Sequence, residues 1–268
     1  ILKSISAYNL GCTLKQTQKK IESSEKIKIP ISTISSWINE YKGICTYSRL
    51  RKQAIKLYAP KDIIKKLELS HIQPYTFKYH KAKLYLLFHS KLYNNQSHDI
   101  SNFYEPLKSY LEKISTDKFP HHIFTYDKSS SAVPMPQLPD SNNDNDEDKL
   151  INKSNKKGSF GMGQIEQRAS QLKFGHLKIE LKSKNNLACK LASLALNLAF
   201  SNKERHQAVQ DFFLINDSTT IAVEVPVYFT NWDAGYYRNQ NGFIFPLTNY
   251  TTPITGHIDI LQLRNGLI

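Results

Sequence analysis

Glu224 and Asp259 are acids set inside runs that otherwise read as buried strands, Ile221-Ala222-Val223-Glu224-Val225-Pro226-Val227-Tyr228 and Gly256-His257-Ile258-Asp259-Ile260-Leu261. A carboxylate in such surroundings loses its hydration, and the usual compensation is a divalent cation. His206, in Glu204-Arg205-His206-Gln207, adds an imidazole upstream, on a stretch that carries Val209, Phe212 and Phe213 at helical spacing. Each residue also has an ordinary explanation alone: an acid capping a turn, a glutamate paired with a buried base, a histidine on a helix face. His257, beside Asp259, is not counted as a ligand.

The elements that must hold these residues follow from periodicity. Residues 165–174, 187–200 and 203–213 have helical spacing, and 220–229, 243–246 and 255–263 have strand composition. Residues 231–242, rich in Asn, Tyr and Gly, read as a long polar-aromatic loop, and Asn265-Gly266 signals a hairpin. Helices followed by a meandering sheet predict an α/β or α+β domain over 160–268.

His206, Glu224 and Gly256-His257-Ile258-Asp259, taken in that order, resemble the opening motifs of PD-(D/E)xK nucleases of the RecB-like branch. The resemblance implies a restriction-endonuclease-like α/β domain that hydrolyses DNA phosphodiesters. His206 and Asp259 would be metal ligands, and Glu224 and Asp259 the catalytic carboxylates. Mg²⁺ or Mn²⁺ would be the cofactor, acidifying the attacking water and neutralising developing charge. An acidic-x-lysine strand would follow a hairpin after Asp259, but the sequence ends nine residues later, at Ile268. It also opens on Ile1 rather than Met, so the domain is expected to be incomplete and the sequence a piece of a longer chain.

Charge is uneven. Residues 1–126 carry 21 Lys and Arg against 9 Asp and Glu, a net +12, whereas 127–268 carry 15 against 14, a net +1. A field localised in this way suits a polyanion, although a solvated lysine surface has the same signature. Residues 127–159 combine Ser129-Ser130-Ser131, three prolines and the acidic run 140–148, the composition of a flexible linker.

Before it the pattern is helical: Thr13 caps a helix to about Ile21, Pro30 and Ser32 or Thr33 open a second, and Gly43 is placed to stop it as a left-handed glycine. Further helices are expected at 47–58, 61–69, 78–92 and 103–114.

Residues 5–41 resemble a homeodomain-like helix-turn-helix, extending to about 58, with Ile34, Trp37, Ile38 and Tyr41 inward. The resemblance implies that Ser35, Ser36 and Asn39 meet bases or phosphates and that Arg49, Arg51 and Lys52 lie along the DNA backbone. A basic helical hairpin fits the same residues, and the connection 22–31 is long for the motif. The dense stretch from His71 to Lys83 suits base stacking or a packed interface equally.

No run approaches the roughly 18 apolar residues of a membrane span. Cys12, Cys45 and Cys189 fit neither a disulfide framework nor a zinc site, which points to a reducing, cytoplasmic setting. Gly161-x-Gly163 lacks the Gly-Lys-Ser/Thr of a phosphate loop, excluding nucleotide hydrolysis on that motif. Two functions therefore stand: a metal-dependent DNA nuclease carrying a helix-turn-helix, or a non-enzymatic DNA-binding protein such as a transcription regulator or transposon-associated factor.

Overall fold

Three short helices open the chain, α1 (Leu2–Asn9), α2 (Leu14–Glu25) and α3 (Ile31–Tyr41), in a computed structural model that describes residues 1–70, 74–89, 99–124, 185–241 and 253–264. Thr13 starts α2 with a capping box: the Gln16 backbone N–H donates to Thr13 Oγ1 at 3.2 Å and the Thr13 N–H donates to Gln16 Oε1 at 2.8 Å. Lys26 ends α2 in the left-handed region at φ 59°, and Pro30 leads directly into α3. The connection is thus Lys26–Pro30, shorter than anticipated. Ile5, Ile21 and Ile34 are buried where the three helices pack. Gly43 does not act as a left-handed stop, since α3 ends through Lys42 at φ −58° and Gly43 has no positive φ.

After α4 (Ser48–Leu57) the helical expectation for 61–69 fails. A short 3-10 turn, Pro60–Asp62, leads into strand β1 (Ile64–Ser70), which pairs antiparallel with β2 (Pro74–His80). The apolar positions Ile64, Leu67 and Leu69 fit either period over so short a run, and pairing with a buried neighbour decides in favour of the strand. Only 81–89 of the predicted 78–92 helix is helical, as α5 (Lys81–His89). The stretch with open roles is largely interior: Phe77, Tyr79, His80 and Lys83 are all buried.

Beyond α6 (Asp99–Lys113), the chain contributes α7 (Leu187–Leu196), α8 (Arg205–Asn216), β3 (Thr220–Phe229), α9 (Asn231–Asn241) and β4 (Ile254–Gln262). The four strands form one antiparallel sheet in the order β1-β2-β3-β4. Strands from both sides of residues 127–159 therefore enter a single sheet, with Lys78 opposite Val223 and Tyr79 opposite Ala222. Ile1–Tyr126 and Lys184–Ile268 make one compact, mixed α/β unit. One core joins Phe77, Leu111, Ile114, Phe119, Ile221 and Val225; a second joins Ile5 and Cys45 to Leu191, Phe212 and Phe213. Each such side chain contributes about 1.5–3 kcal/mol through burial.

The loop expected at 231–242 is helix α9 up to Asn241. Thr230 and Asp233 form a second capping box, in which Asp233 Oδ2 accepts from the Thr230 N–H at 2.7 Å and Thr230 Oγ1 at 2.6 Å. Among the described residues, no helix is long and apolar enough to cross a membrane. The expected linker at 127–159, helix at 165–174, strand at 243–246, hairpin at Asn265-Gly266 and glycine pair Gly161 and Gly163 lie outside the described residues.

Candidate metal centre

The site is assembled on three elements that differ in how firmly they are held. Helix α8 supplies His206 in its first turn, and its far end is bound tightly to the remainder of the unit. Lys78 Nζ on β2 pairs with Asp211 Oδ1 at 2.5 Å. Asn216 donates to Ser6 Oγ at 3.0 Å and accepts from Asn9 Nδ2 at 2.8 Å, while its carbonyl receives the Tyr47 N–H at 2.9 Å.

Buried Lys83 is the strongest of these ties. Its Nζ donates to the carbonyls of Leu214 at 2.6 Å and Thr220 at 2.8 Å, and to that of Asp217. It thereby closes the C-terminal end of α8, where carbonyls lack helical partners and positive charge is favoured, and fixes the entry to β3. Burial draws the Lys83 ammonium down to about 7, with the Asp217 charge opposing that shift. Burial alone would raise the Asp217 carboxyl, but hydrogen bonds from Thr219 and Thr220, with Lys83 nearby, bring it below its ordinary value.

Strands β3 and β4 supply the carboxylates. Val223 opposes Ile260 and Val225 opposes Ile258, so the register sets Glu224 across from Asp259. Glu224 has φ 53°, a left-handed backbone inside a strand whose pairing with β4 also shifts register between Thr220 and Ala222. For a non-glycine residue this conformation costs of order 1–3 kcal/mol, and such strain concentrates at functional sites.

The three predicted residues converge. His206 Nε2 lies 2.9 Å from Glu224 Oε1 and 3.6 Å from Asp259 Oδ1, and one ligand atom from each residue falls within 4.8 Å of the others. Glu224 is mostly buried, at 14% side-chain exposure, whereas His206 and Asp259 are open to solvent at 57% and 65%. One imidazole nitrogen and two carboxylate oxygens form a hard, mixed donor set suited to Mg²⁺ or Mn²⁺. Two carboxylates face one imidazole in the cluster.

Gln210, absent from the sequence prediction, joins them. Its Nε2 is 2.7 Å from His206 Nε2 and 2.5 Å from Glu224 Oε1. A glutamine four residues after a histidine on a helix lies on the same face, but glutamine is too common on helices for that spacing to single it out. His257 stays off the cluster: its ring meets Tyr75 edge-on, with centroids 4.1 Å apart. Burial lowers its pKa against the opposing charges of Glu224 and Asp259.

A hollow of about 470 Å³ opens beside the cluster, lined by Leu196, Asn202, Arg205, His206, Val209, Gln210, Asp259 and Ile260. A larger one, about 520 Å³, lies between α1, α2 and α8 against Ala7, Ile21, Ala208 and Phe212. Ligand atoms converge at the smaller hollow and not at the larger, so chemistry rather than volume locates the site.

The residues predicted to meet nucleic acid have mixed positions. Ser36 and Asn39 are exposed on α3 and Lys52 on α4, while Ser35 is half-buried. Arg49 donates to Ser218 Oγ at 2.7 Å. Arg51 donates to the Tyr8 carbonyl at 2.6 Å and the Cys12 carbonyl at 2.7 Å, with its guanidinium 3.7 Å above the Tyr8 ring centroid. Both arginines hold elements together. Buried Cys45 has its thiol raised to about 12 by burial, which makes it unreactive.

No protein-family model, curated protein or solved structure matches the chain.

Proposed function

We propose that this protein is a divalent-metal-dependent DNA nuclease, and the observation that carries the reading is the convergence of His206, Glu224 and Asp259 at one point on a sheet edge strand and its neighbour. His206 and Asp259 would hold Mg²⁺ or Mn²⁺, with Glu224 beside them. The cation supplies a water acidified toward neutral pH and neutralises charge on the phosphoryl oxygen. Glu224, mostly buried and held by Gln210, would orient the attacking water. Arg205, which lines the adjacent hollow, meets the phosphate as a planar, permanently charged donor. The nuclease reading also calls for an acidic-x-lysine strand C-terminal to β4.

DNA is the substrate that best fits the net +12 of residues 1–126 and the packed helices α1 to α3. The exposed Ser36 and Asn39 on α3 and Lys52 on α4 are the groups offered to it, in the manner of a helix-turn-helix.

The test is cleavage of a labelled duplex by the natural protein with Mn²⁺ or Mg²⁺, with chelator, and in Asp259→Ala. Metal-dependent cleavage abolished by the substitution is expected. Cleavage surviving in Asp259→Ala overturns the assignment, and salt-sensitive DNA binding with no metal-dependent cleavage favours the non-enzymatic alternative.

A further inference from the structure

Gln210 makes an unusual set of contacts for a buried amide. It is 1% exposed, and its Nε2 stands within hydrogen-bond distance of both His206 Nε2 and Glu224 Oε1, which lie 2.9 Å apart. Among the described residues its Oε1 is buried with no hydrogen-bond partner. A buried carbonyl oxygen left alone costs about 1–3 kcal/mol, so the amide nitrogen is held where it is at the expense of the oxygen. The reason is local charge. One ligand atom from each of His206, Glu224 and Asp259 falls within 4.8 Å of the others, and the NH₂ of Gln210, the positive end of a dipole, is placed against the first two. It stands beside the point at which the ligand atoms converge.

We propose that Gln210 is the fourth, switchable member of this cation site: without metal its amide nitrogen bridges His206 and Glu224, and with metal its Oε1 turns inward as an oxygen ligand. This rests on the cation reading of the three-residue cluster. The two ends of a glutamine amide differ little in size and exchange by rotation about the terminal bond. A bound cation repels the NH₂ and attracts the carbonyl, so a single rotation removes the unfavourable contact and satisfies the orphaned oxygen. An amide oxygen is a hard donor of the kind that Mg²⁺ and Mn²⁺ accept.

The measurement is Mn²⁺ binding by calorimetry, alongside thermal unfolding without metal, for the unsubstituted protein, Gln210→Met and Gln210→Glu. Gln210→Met keeps the shape but loses the amide; it is expected to bind Mn²⁺ about tenfold more weakly while its metal-free melting temperature holds or rises. Gln210→Glu sets another carboxylate against Glu224; it is expected to melt lower without metal and to bind Mn²⁺ at least as tightly as the unsubstituted protein. In both, the readout is affinity, which a purely structural clamp would not move in this pattern. Mn²⁺ binding by Gln210→Met equal to that of the unsubstituted protein, or weakened tenfold in Gln210→Glu, overturns the ligand role and leaves the three-residue site standing. Absence of saturable Mn²⁺ binding in the unsubstituted protein overturns the cation site itself.

Discussion

The two ends of helix α8 carry polar clusters of opposite character. At the C-terminal end, Lys83 and Asp217 are buried, and donors match acceptors: the ammonium meets the Leu214, Asp217 and Thr220 carbonyls, and Asp217 Oδ2 accepts from Thr219, Thr220 and Gln262. At the N-terminal end, two carboxylates and an imidazole crowd together, His206 and Asp259 open to solvent and Glu224 mostly buried, with a strained backbone at Glu224 and an amide oxygen at Gln210 that has no partner among the described residues. A saturated buried network specifies structure, whereas an unsaturated exposed one has capacity for something more. One helix is thus anchored at one end and chemically incomplete at the other, and the anchor fixes where the incomplete end points.

The largest effect expected from breaking that contrast is at Lys83. In Lys83→Met the apolar stem is kept but its carbonyl partners lose their donor inside the unit. The unfolding free energy should fall by about 3 kcal/mol, measured by urea denaturation. Asp259→Ala, at the other end, should leave metal-free stability unchanged or slightly higher, because it removes a repelling carboxylate. A loss under about 1 kcal/mol in Lys83→Met, or an equal loss in both variants, would erase the distinction between anchor and site.

A smaller effect separates the same regions by pH. An unfolded lysine keeps its ordinary value of 10.5, while folded Lys83 titrates at about 7. Between those values the unfolded chain binds the extra proton, so the Lys83 contribution to stability increases as pH rises from about 7 to 10.5 and diminishes on the way down. His80, buried beside it and shifted well below 6.5 chiefly by burial, acts with the same sign at lower pH. Urea melts between pH 7 and 9.5 should show rising stability in the unsubstituted protein and a flatter profile in Lys83→Met. Equal slopes would remove Lys83 as the source.

The His206, Glu224 and Asp259 cluster was legible in the sequence to the extent that polar residues interrupt apolar patterns. Glu224 and Asp259 stand out because their neighbours are β-branched and apolar, and β3 lies at the predicted 220–229. Gln210 and Lys83 were invisible, because their roles come from contacts to atoms 14 and more than 130 residues away. Strand β1 was misread for a related reason: its period is ambiguous over seven residues, and its identity depends on a partner strand. The start of α9 was present as Thr230-x-x-Asp233, but the Asn- and Tyr-rich composition that follows outweighed a two-residue cap. Local chemistry was readable, and what pairing across the fold decides was not.

Arg51 and Lys52 carry this difference to adjacent residues. Both were expected along a DNA backbone, but Arg51 stacks on Tyr8 and ties the Tyr8 and Cys12 carbonyls, while Lys52 stays exposed. Lys52→Ala should weaken duplex binding about fivefold and lower the salt slope by about 1, followed by fluorescence anisotropy across salt concentrations, with no change in melting temperature. Arg51→Met should instead lower stability by about 1–2 kcal/mol and leave the affinity of the folded fraction as it was. The opposite pattern would make the guanidinium available to DNA despite its internal contacts. Adjacent basic residues with the same formal charge would then differ by what each already holds, the same distinction that separates the two ends of α8.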